Sequence, residues 1–314
     1  MGVTIILLLA GFFLLVKGAD FFVDGASSIA RFLRIPSIIV GLTIVAFGTS
    51  APELSVSISA AMQGSNEIAV SNVLGSNIFN LLVVTGVCAV ISTVPVSKTL
   101  VSKELPFSIV AAALLIPFAL LGTEAMMIGR IEGLILLALF ILYIIWQIMD
   151  ALKSRKEAPE DPMEKIISPL KSIILIILGC IMIVAGGNFV VNSATSIAQA
   201  FGLSETLIGL TIVAIGTSLP ELVTSIVASR KGENDLSLGN VVGSNIFNIL
   251  MILGISTAIH PIRLEASFLF DTLFLAAVSV IILIFAKTRG RISRKEGLIM
   301  LALYIAYDAY IILR

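Results

Sequence analysis

An all-α integral membrane protein, with ten transmembrane helices arranged as two inverted five-helix repeats, is what this sequence predicts. Three observations carry the prediction. The 314 residues are 58% hydrophobic and only 13% charged, with a mean hydropathy of +1.11, whereas soluble domains carry about 25% charged residues. GTSAPEL at Gly48–Leu54 returns as GTSLPEL at Gly216–Leu222, and GSNIFN at Gly75–Asn80 returns at Gly243–Asn248, both at an offset of 168 residues. Gly41–Ser55 matches Gly209–Val223 at 12 of 15 positions without a gap. A duplicated polar break within apolar helices points to an ion site at an internal repeat interface.

A spanning helix needs roughly 20 apolar residues. Segmentation at Pro, Gly and charge clusters yields ten: 2–30, 36–62, 68–92, 104–122, 127–150, 170–199, 204–229, 235–259, 265–286 and 293–313. The first has the apolar core of a signal peptide but no Lys or Arg before that core. Its Gly18, Phe21, Ser28, Ile29 and Ala30 recur as Gly186, Phe189, Ser196, Ile197 and Ala198. It therefore belongs to the repeat and is expected to stay in the mature chain. The second and seventh segments carry GTSxPEL, and the third and eighth carry GSNIFN. The fifth and tenth match as Arg130–Tyr143 and Arg294–Tyr307, at an offset of 164.

Residues 1–150 thus form a first five-helix repeat and 169–314 a second. Between them, 151–168 holds Lys153, Arg155, Lys156 and Lys165, with two prolines and four acids, and reads as a solvated linker. Five crossings is an odd number, so the second copy starts on the opposite side and the halves are inverted about an axis in the membrane plane.

Basic residues orient the bundle. One side receives Arg31, Arg34, Lys98, Lys103, the linker lysines and arginine, Lys171, Arg230, Lys231, Lys287, Arg289, Arg291, Arg294 and Lys295; the other receives Arg130, Arg263 and Arg314. Sixteen against three places the linker in the cytoplasm and both termini outside a cell membrane. Trp146 fits an interfacial anchor. The net charge of +0 gives no indication of a nucleic-acid partner. Cys88 and Cys180 lie in apolar stretches and read as packed small hydrophobes, and His260 beside Pro261 reads as a boundary residue.

The motifs have definite chemistry. Pro52 lacks an N–H, and its ring pushes away the carbonyl of Gly48, so a kink with a freed carbonyl is expected in mid-membrane. Backbone of that kind at that depth normally lines a cavity or site. Thr49 and Glu53 are four residues apart, Ser50 and Glu53 three, and Ser76 and Asn80 four, so each pair can share a helical face. The second half repeats them as Thr217, Ser218, Glu221, Ser244 and Asn248. Pooled at a pseudo-two-fold axis, these are all hard oxygen donors, suited to Ca²⁺ or Na⁺ rather than zinc or copper.

A packing kink, with small residues for close approach, is the competing account, and Gly75, Gly243, Asn77 and Asn245 read as packing positions. Packing does not explain two acids in the bilayer, each costing roughly 2.5–3.5 kcal/mol. Lys17 and Asp20 are expected to form a structural pair, with Asp24 a turn further on. Asp271 and Asp308 are expected near headgroups, and Glu233-Asn234-Asp235 as a solvated turn.

These residues resemble the paired alpha-repeats of the cation/Ca²⁺ exchanger superfamily, and the resemblance to a prokaryotic Na⁺/Ca²⁺ antiporter covers essentially the whole chain. It implies two inverted five-helix halves, with ions held among the second, third, seventh and eighth helices. It also implies Ca²⁺ ligation by Glu53 and Glu221 with backbone oxygens of Thr49 and Thr217. Its Na⁺ positions add Ser50, Ser76, Ser218 and Ser244, with the carbonyls of Ala46 and Ala214. Some members carry Asp where this chain has Asn248; here both halves carry Asn, at Asn80 and Asn248, one acid fewer than in potassium-dependent relatives. The GNxxE of the proton-coupled branch is absent.

The expected activity is exchange of Na⁺ for Ca²⁺ by alternating access. The two ions compete for one acidic site, with no cofactor, no enzymatic reaction, and function as a monomer. The first and sixth segments are expected to slide as the gate. Ca²⁺/H⁺ exchange and a cation channel are the alternatives. An intramembrane acid/base enzyme would need a nucleophile or metal set that the sequence does not supply.

Overall fold

The computed structural model describes residues 2–64, 66–122, 124–157, 167–202 and 214–313. Its helices are α1 (Gly2–Leu33), α2 (Ser37–Thr49), α3 (Ala51–Met62), α4 (Ile68–Ile91), α5 (Leu100–Leu121), α6 (Arg130–Lys156) and α7 (Pro169–Ala200). They continue with α8 (Ala214–Thr217), α9 (Leu219–Arg230), α10 (Asn234–Ile259), α11 (Ser267–Arg289) and α12 (Arg294–Leu313). Among the described residues, eight helices are long and apolar enough to cross a membrane, and the bent pair α2–α3 makes a ninth. The start of the seventh expected segment, 204–213, and half of the linker, 158–166, lie outside the described residues.

The bend of 50° between α2 and α3 falls at Ser50, two residues before Pro52. Pro52 has no N–H to offer Gly48, as expected, and the freed Gly48 carbonyl finds a partner elsewhere. The Cys180 thiol on α7 approaches it at 3.6 Å, so Cys180 is a hydrogen-bonding residue as well as a packed one. The second half breaks in the same way at Ser218, between α8 and α9. Both α4 and α10 contain wide π-helical turns, at Asn80–Val84 and Phe247–Ile252. Such turns commonly mark functional positions.

The motif-bearing α4 and α10 are the most buried spans, whereas α1, α6, α7 and α12 leave most of their apolar surface outward. The two halves are tied at their ends by short antiparallel strand pairs. Val94–Pro95 (β1) meets Arg291–Ile292 (β4), and Met127–Ile128 (β2) meets Ile262–Arg263 (β3). The repeat offsets carry each pair onto the other, so both clips are reciprocal.

The long helices α1 and α7 lie against one another along small residues. A Cβ on Gly18 would fall 2.9 Å from the Gly179 carbonyl, and one on Gly186 2.7 Å from the Gly11 carbonyl. Leu15, Ala19, Phe22, Ile183 and Val190 form the apolar core of this pair, separate from the larger core around α4 and α10. Close backbone approach through small residues is a main source of helix association in lipid.

At one end, α1 reaches the turn between α9 and α10 through ion pairs. Lys231 Nζ lies 2.7 Å from Asp24 and 3.2 Å from Asp20, and Arg31 lies 3.1 Å from Glu233. Lys17 and Asp20 do pair, at 3.4 Å, but Asp20 is shared with Lys231. Glu233 is therefore more than a solvated turn residue. Replacing Gly179 with Ala would set a Cβ 2.6 Å from the Phe22 amide nitrogen. Overpacking of this kind costs about 1–3 kcal/mol, so Gly179→Ala is expected to lower the thermal midpoint of the detergent-solubilised protein; an unchanged midpoint would contradict this packing.

Candidate functional site

Glu53 and Glu221 follow the two helix breaks, in the first turns of α3 and α9, and both are fully buried. Each is held by serines from both halves. Ser218 Oγ donates to Glu53 Oε1 at 3.1 Å, and Ser50 Oγ donates to Glu221 Oε1 at 3.0 Å. From α4, Ser76 reaches Glu53 Oε1 at 3.5 Å; from α10, Ser244 reaches Glu221 Oε1 at 3.4 Å. Ser218 and Ser76 lie 3.1 Å apart, and Thr49 and Ser244 3.5 Å. The breaks explain this reach, because a continuous helix would turn Ser50 and Ser218 elsewhere while a bend turns them toward the opposite half.

The second carboxylate oxygens, Glu53 Oε2 and Glu221 Oε2, are buried with no hydrogen-bond partner, and so are Asn80 Oδ1 and Asn248 Oδ1. Buried polar oxygens are rarely left so. Four of them, two from each half at equivalent positions, lie on residues of the same two motifs. No Lys, Arg or His faces either Glu among the described ion pairs.

The remaining expected residues are placed less uniformly. Thr49 Oγ1 donates within α2 to Val45 O at 3.2 Å and lies 2.9 Å from Asn240 Oδ1. Thr217 sits at the end of α8 and is buried. The Ala46 carbonyl accepts the Ser50 amide at 3.0 Å, whereas in the second half the Ser218 amide goes to Ile215, not Ala214.

Asn77 and Asn245 are not simple packing positions. Each donates Nδ2 to the other's backbone carbonyl at 3.2 Å, and each accepts at Oδ1 from Asn248 or Asn80. Gly243 does pack closely, its Cβ position 2.7 Å from Leu42, while Gly75 meets nothing within 4 Å among the described residues.

Two asparagines escaped the sequence reading. Asn72 Nδ2 donates to the Glu53 carbonyl at 3.2 Å and to Ser57 Oγ at 2.9 Å. Asn240 Nδ2 makes the equivalent bonds to Glu221 O at 3.5 Å and Ser225 Oγ at 3.0 Å. The signal was available, since Asn72 and Asn240 are themselves 168 residues apart, three residues ahead of the recognised motif. Asp271 is also placed differently from expectation. It is buried and accepts from Tyr307 Oη at 3.2 Å rather than facing headgroups. Buried Glu104 has the same arrangement in the first half, with Gln147 Nε2 at 2.9 Å and Tyr143 Oη at 3.4 Å.

With this geometry in view, similarity to known proteins is informative. The model of the sodium/calcium exchanger protein family matches residues 3–149 and again 171–313. The chain belongs to that family. It is 40% identical over 318 residues to the putative antiporter CaxA of Alkalimonas amylolytica, covering 98% of each chain. It is 34% identical to the sodium/calcium exchanger MaX1 of Methanosarcina acetivorans, covering 97% of each. Among solved structures, it superposes on the sodium-calcium exchanger NCX_Mj, soaked with Na⁺ and Sr²⁺, with a TM-score of 0.84 at 33% identity, over 98% of this chain and 97% of that one. The protein is therefore a multi-pass membrane protein of an ion-exchanger family, and the family is one of transporters rather than enzymes.

Asn240→Leu removes the donor to Glu221 O and Ser225 and the acceptor near Thr49 while keeping the volume. Unsatisfied buried groups cost about 1–3 kcal/mol each. The variant is expected to unfold at a lower temperature, and equal thermal stability would show that these bonds contribute nothing.

Proposed function

We propose that this protein exchanges Na⁺ for Ca²⁺ across a cell membrane, both ions competing for one site between the two halves. The observation that carries the reading is the set of four buried, partnerless oxygens on Glu53, Glu221, Asn80 and Asn248. Every one is a hard donor, as Ca²⁺ and Na⁺ require. Two carboxylates balance the charge of one Ca²⁺, and the serines Ser50, Ser76, Ser218 and Ser244 supply neutral oxygens for singly charged Na⁺. The backbone oxygens of Thr49, Thr217, Ala46 and Ala214 complete the proposed ligand set. The ions are transported substrates and no further cofactor enters the cycle.

Exchange follows from competition. If the site holds Ca²⁺ or Na⁺ but never a full set of both, loading with one expels the other. The proposed architecture is ten spans in two inverted halves, with the linker on the cytoplasmic side and the termini outside. Inverted repeats permit the two halves to trade conformations, exposing the site to each side in turn.

The proposed moving part is α1 with α7. They pack on one another through Gly18 and Gly179, so they can travel as a pair past the site. The ion pairs from Asp20, Asp24 and Arg31 to Lys231 and Glu233 hold α1 to the core at one end. Four of those positions have repeat counterparts Asn188, Asn192, Gln199 and Gln63, which carry no charge.

Three measurements test the proposal. In proteoliposomes, radiolabelled Ca²⁺ uptake is expected to follow an imposed Na⁺ gradient; uptake driven only by a K⁺ or H⁺ gradient would replace Na⁺ as the counter-ion, and uptake without any gradient would indicate a channel. Glu53→Gln and Glu221→Gln should each abolish uptake, since losing one charged partner in a buried site costs about 2–5 kcal/mol; near-normal flux in either variant removes the central claim. Bridging Asp24→Cys to Lys231→Cys with a short bifunctional thiol reagent should stop exchange, and exchange at the unbridged rate would exclude sliding of α1.

A further inference from the structure

The amide groups of Asn80 and Asn248 can present either oxygen or NH₂ to the space beside the two glutamates. For a cation the difference is one of sign. An oxygen is a ligand, whereas an NH₂ group presents positive hydrogens. Which end faces where is decided by the hydrogen-bond network. Here the network leaves one solution.

Two acceptors at this ring cannot flip. The backbone carbonyls of Asn77 and Asn245 can only accept. Each faces the side chain of the other residue at 3.2 Å, so that side chain must turn its NH₂ toward the carbonyl. Its Oδ1 is then committed to the opposite direction. On that side stands the amide of Asn80 or Asn248, at 3.2 Å from Asn245 Oδ1 and 2.9 Å from Asn77 Oδ1. An acceptor there requires a donor, so Asn80 and Asn248 must supply NH₂. Their own oxygens are thereby turned away from the ring, and these are the buried oxygens with no partner. All four side chains are at most 1% exposed, so bulk water does not compete for these bonds.

We infer that Asn77 and Asn245 are positioning residues that fix the polarity of the site. Through a relay anchored on two backbone carbonyls, they hold the carbonyl ends of Asn80 and Asn248 free for a cation. The inference rests on the reading of these oxygens as ion ligands. It adds that the ligands are oriented across the repeat interface, Asn77 acting on Asn248 and Asn245 acting on Asn80. Neither half can orient its own amide. The wide turns that begin at Asn80 and Phe247 lie at this ring, where the second-sphere bonds are made.

The relay has a chemical signature. Leu at position 245 has neither donor nor acceptor, so Asn80 loses its reason to face one way. Asp at position 245 is nearly isosteric, and in its neutral form it restores the relay. Its O–H donates to the Asn77 carbonyl, and its C=O accepts from Asn80. The titratable groups nearest the ring, Glu53 and Glu221, are unchanged in every variant, so each variant is compared with wild type at the same pH.

The experiment is calorimetric binding of Ca²⁺ and of Na⁺ to the purified full chain in detergent at neutral pH, where the carboxyl introduced at position 245 keeps its proton because it is buried and faces an acceptor, the Asn77 carbonyl. Asn245→Leu is expected to bind both ions about tenfold or more weaker than wild type, the scale of one lost hydrogen-bonded ligand. Asn245→Asp is expected to recover to within about threefold, and Asn77→Leu and Asn77→Asp should behave alike. A folded Leu variant with wild-type affinity for both ions overturns the relay, as does an Asp variant no better than Leu. If Leu at 245 prevents folding, the Asp variant decides alone: affinity about tenfold below wild type, or failure to fold, overturns the inference. Binding is measured apart from flux, so a wild type that binds Ca²⁺ without exchanging it removes antiport and leaves the relay standing.

Discussion

Two carboxylates buried in the middle of an apolar bundle, with no basic residue facing them among the described ion pairs, set the terms for everything around them. A buried charge is tolerated only when it is paired or well hydrogen-bonded. Glu53 and Glu221 are half provided for. One oxygen of each takes serine hydroxyls, and the other takes nothing. The helix breaks at Ser50 and Ser218, the asparagines behind the glutamate carbonyls, and the burial of α4 and α10 all follow from holding those acids in place. The outer helices keep lipid away from a centre that lipid would not accept.

The second theme is reciprocity. Ser50 serves Glu221 and Ser218 serves Glu53; Asn77 meets Asn245 twice; β1 pairs with β4 as β3 pairs with β2. Contacts of the form i to j and j to i are what a two-fold relation produces. Its consequence is that neither repeat builds a site alone. The relation is broken at α1, where Asp20, Asp24 and Arg31 find charged partners while the equivalent positions on α7 are amides.

Much of the fold was legible, because hydropathy and length decide spans almost by themselves. The third expected segment, 68–92, became Ile68–Ile91, and the eighth, 235–259, became Asn234–Ile259. The misses came where chemistry is indifferent. The fourth segment starts at Leu100 rather than 104, and the fifth runs on to Lys156, since charged residues at a helix end are content in water and leave no stop signal. Site residues were legible through the repeat, which singles out polar letters that recur. Asn72 and Asn240 recur too, yet they work on backbone carbonyls 19 residues away, a role no letter announces. Glu104 and Asp271 were unreadable for the same reason, their tyrosine partners lying 39 and 36 residues along the chain.

By itself the sequence determined the duplication, the membrane-spanning class, the positions of the breaks and the inventory of oxygens, because each depends on residue type and local spacing. Helical period puts Ser76 and Asn80 on one face whatever surrounds them. Only the tertiary structure decided which oxygen meets which. The thiol of Cys180 takes the carbonyl that Pro52 releases, the serine of one half takes the acid of the other, and the asparagine amides turn their NH₂ inward to carbonyls 168 residues distant. Those choices are settled by packing the two halves against one another, and a linear pattern carries no information about which way an amide must face until its acceptor is beside it.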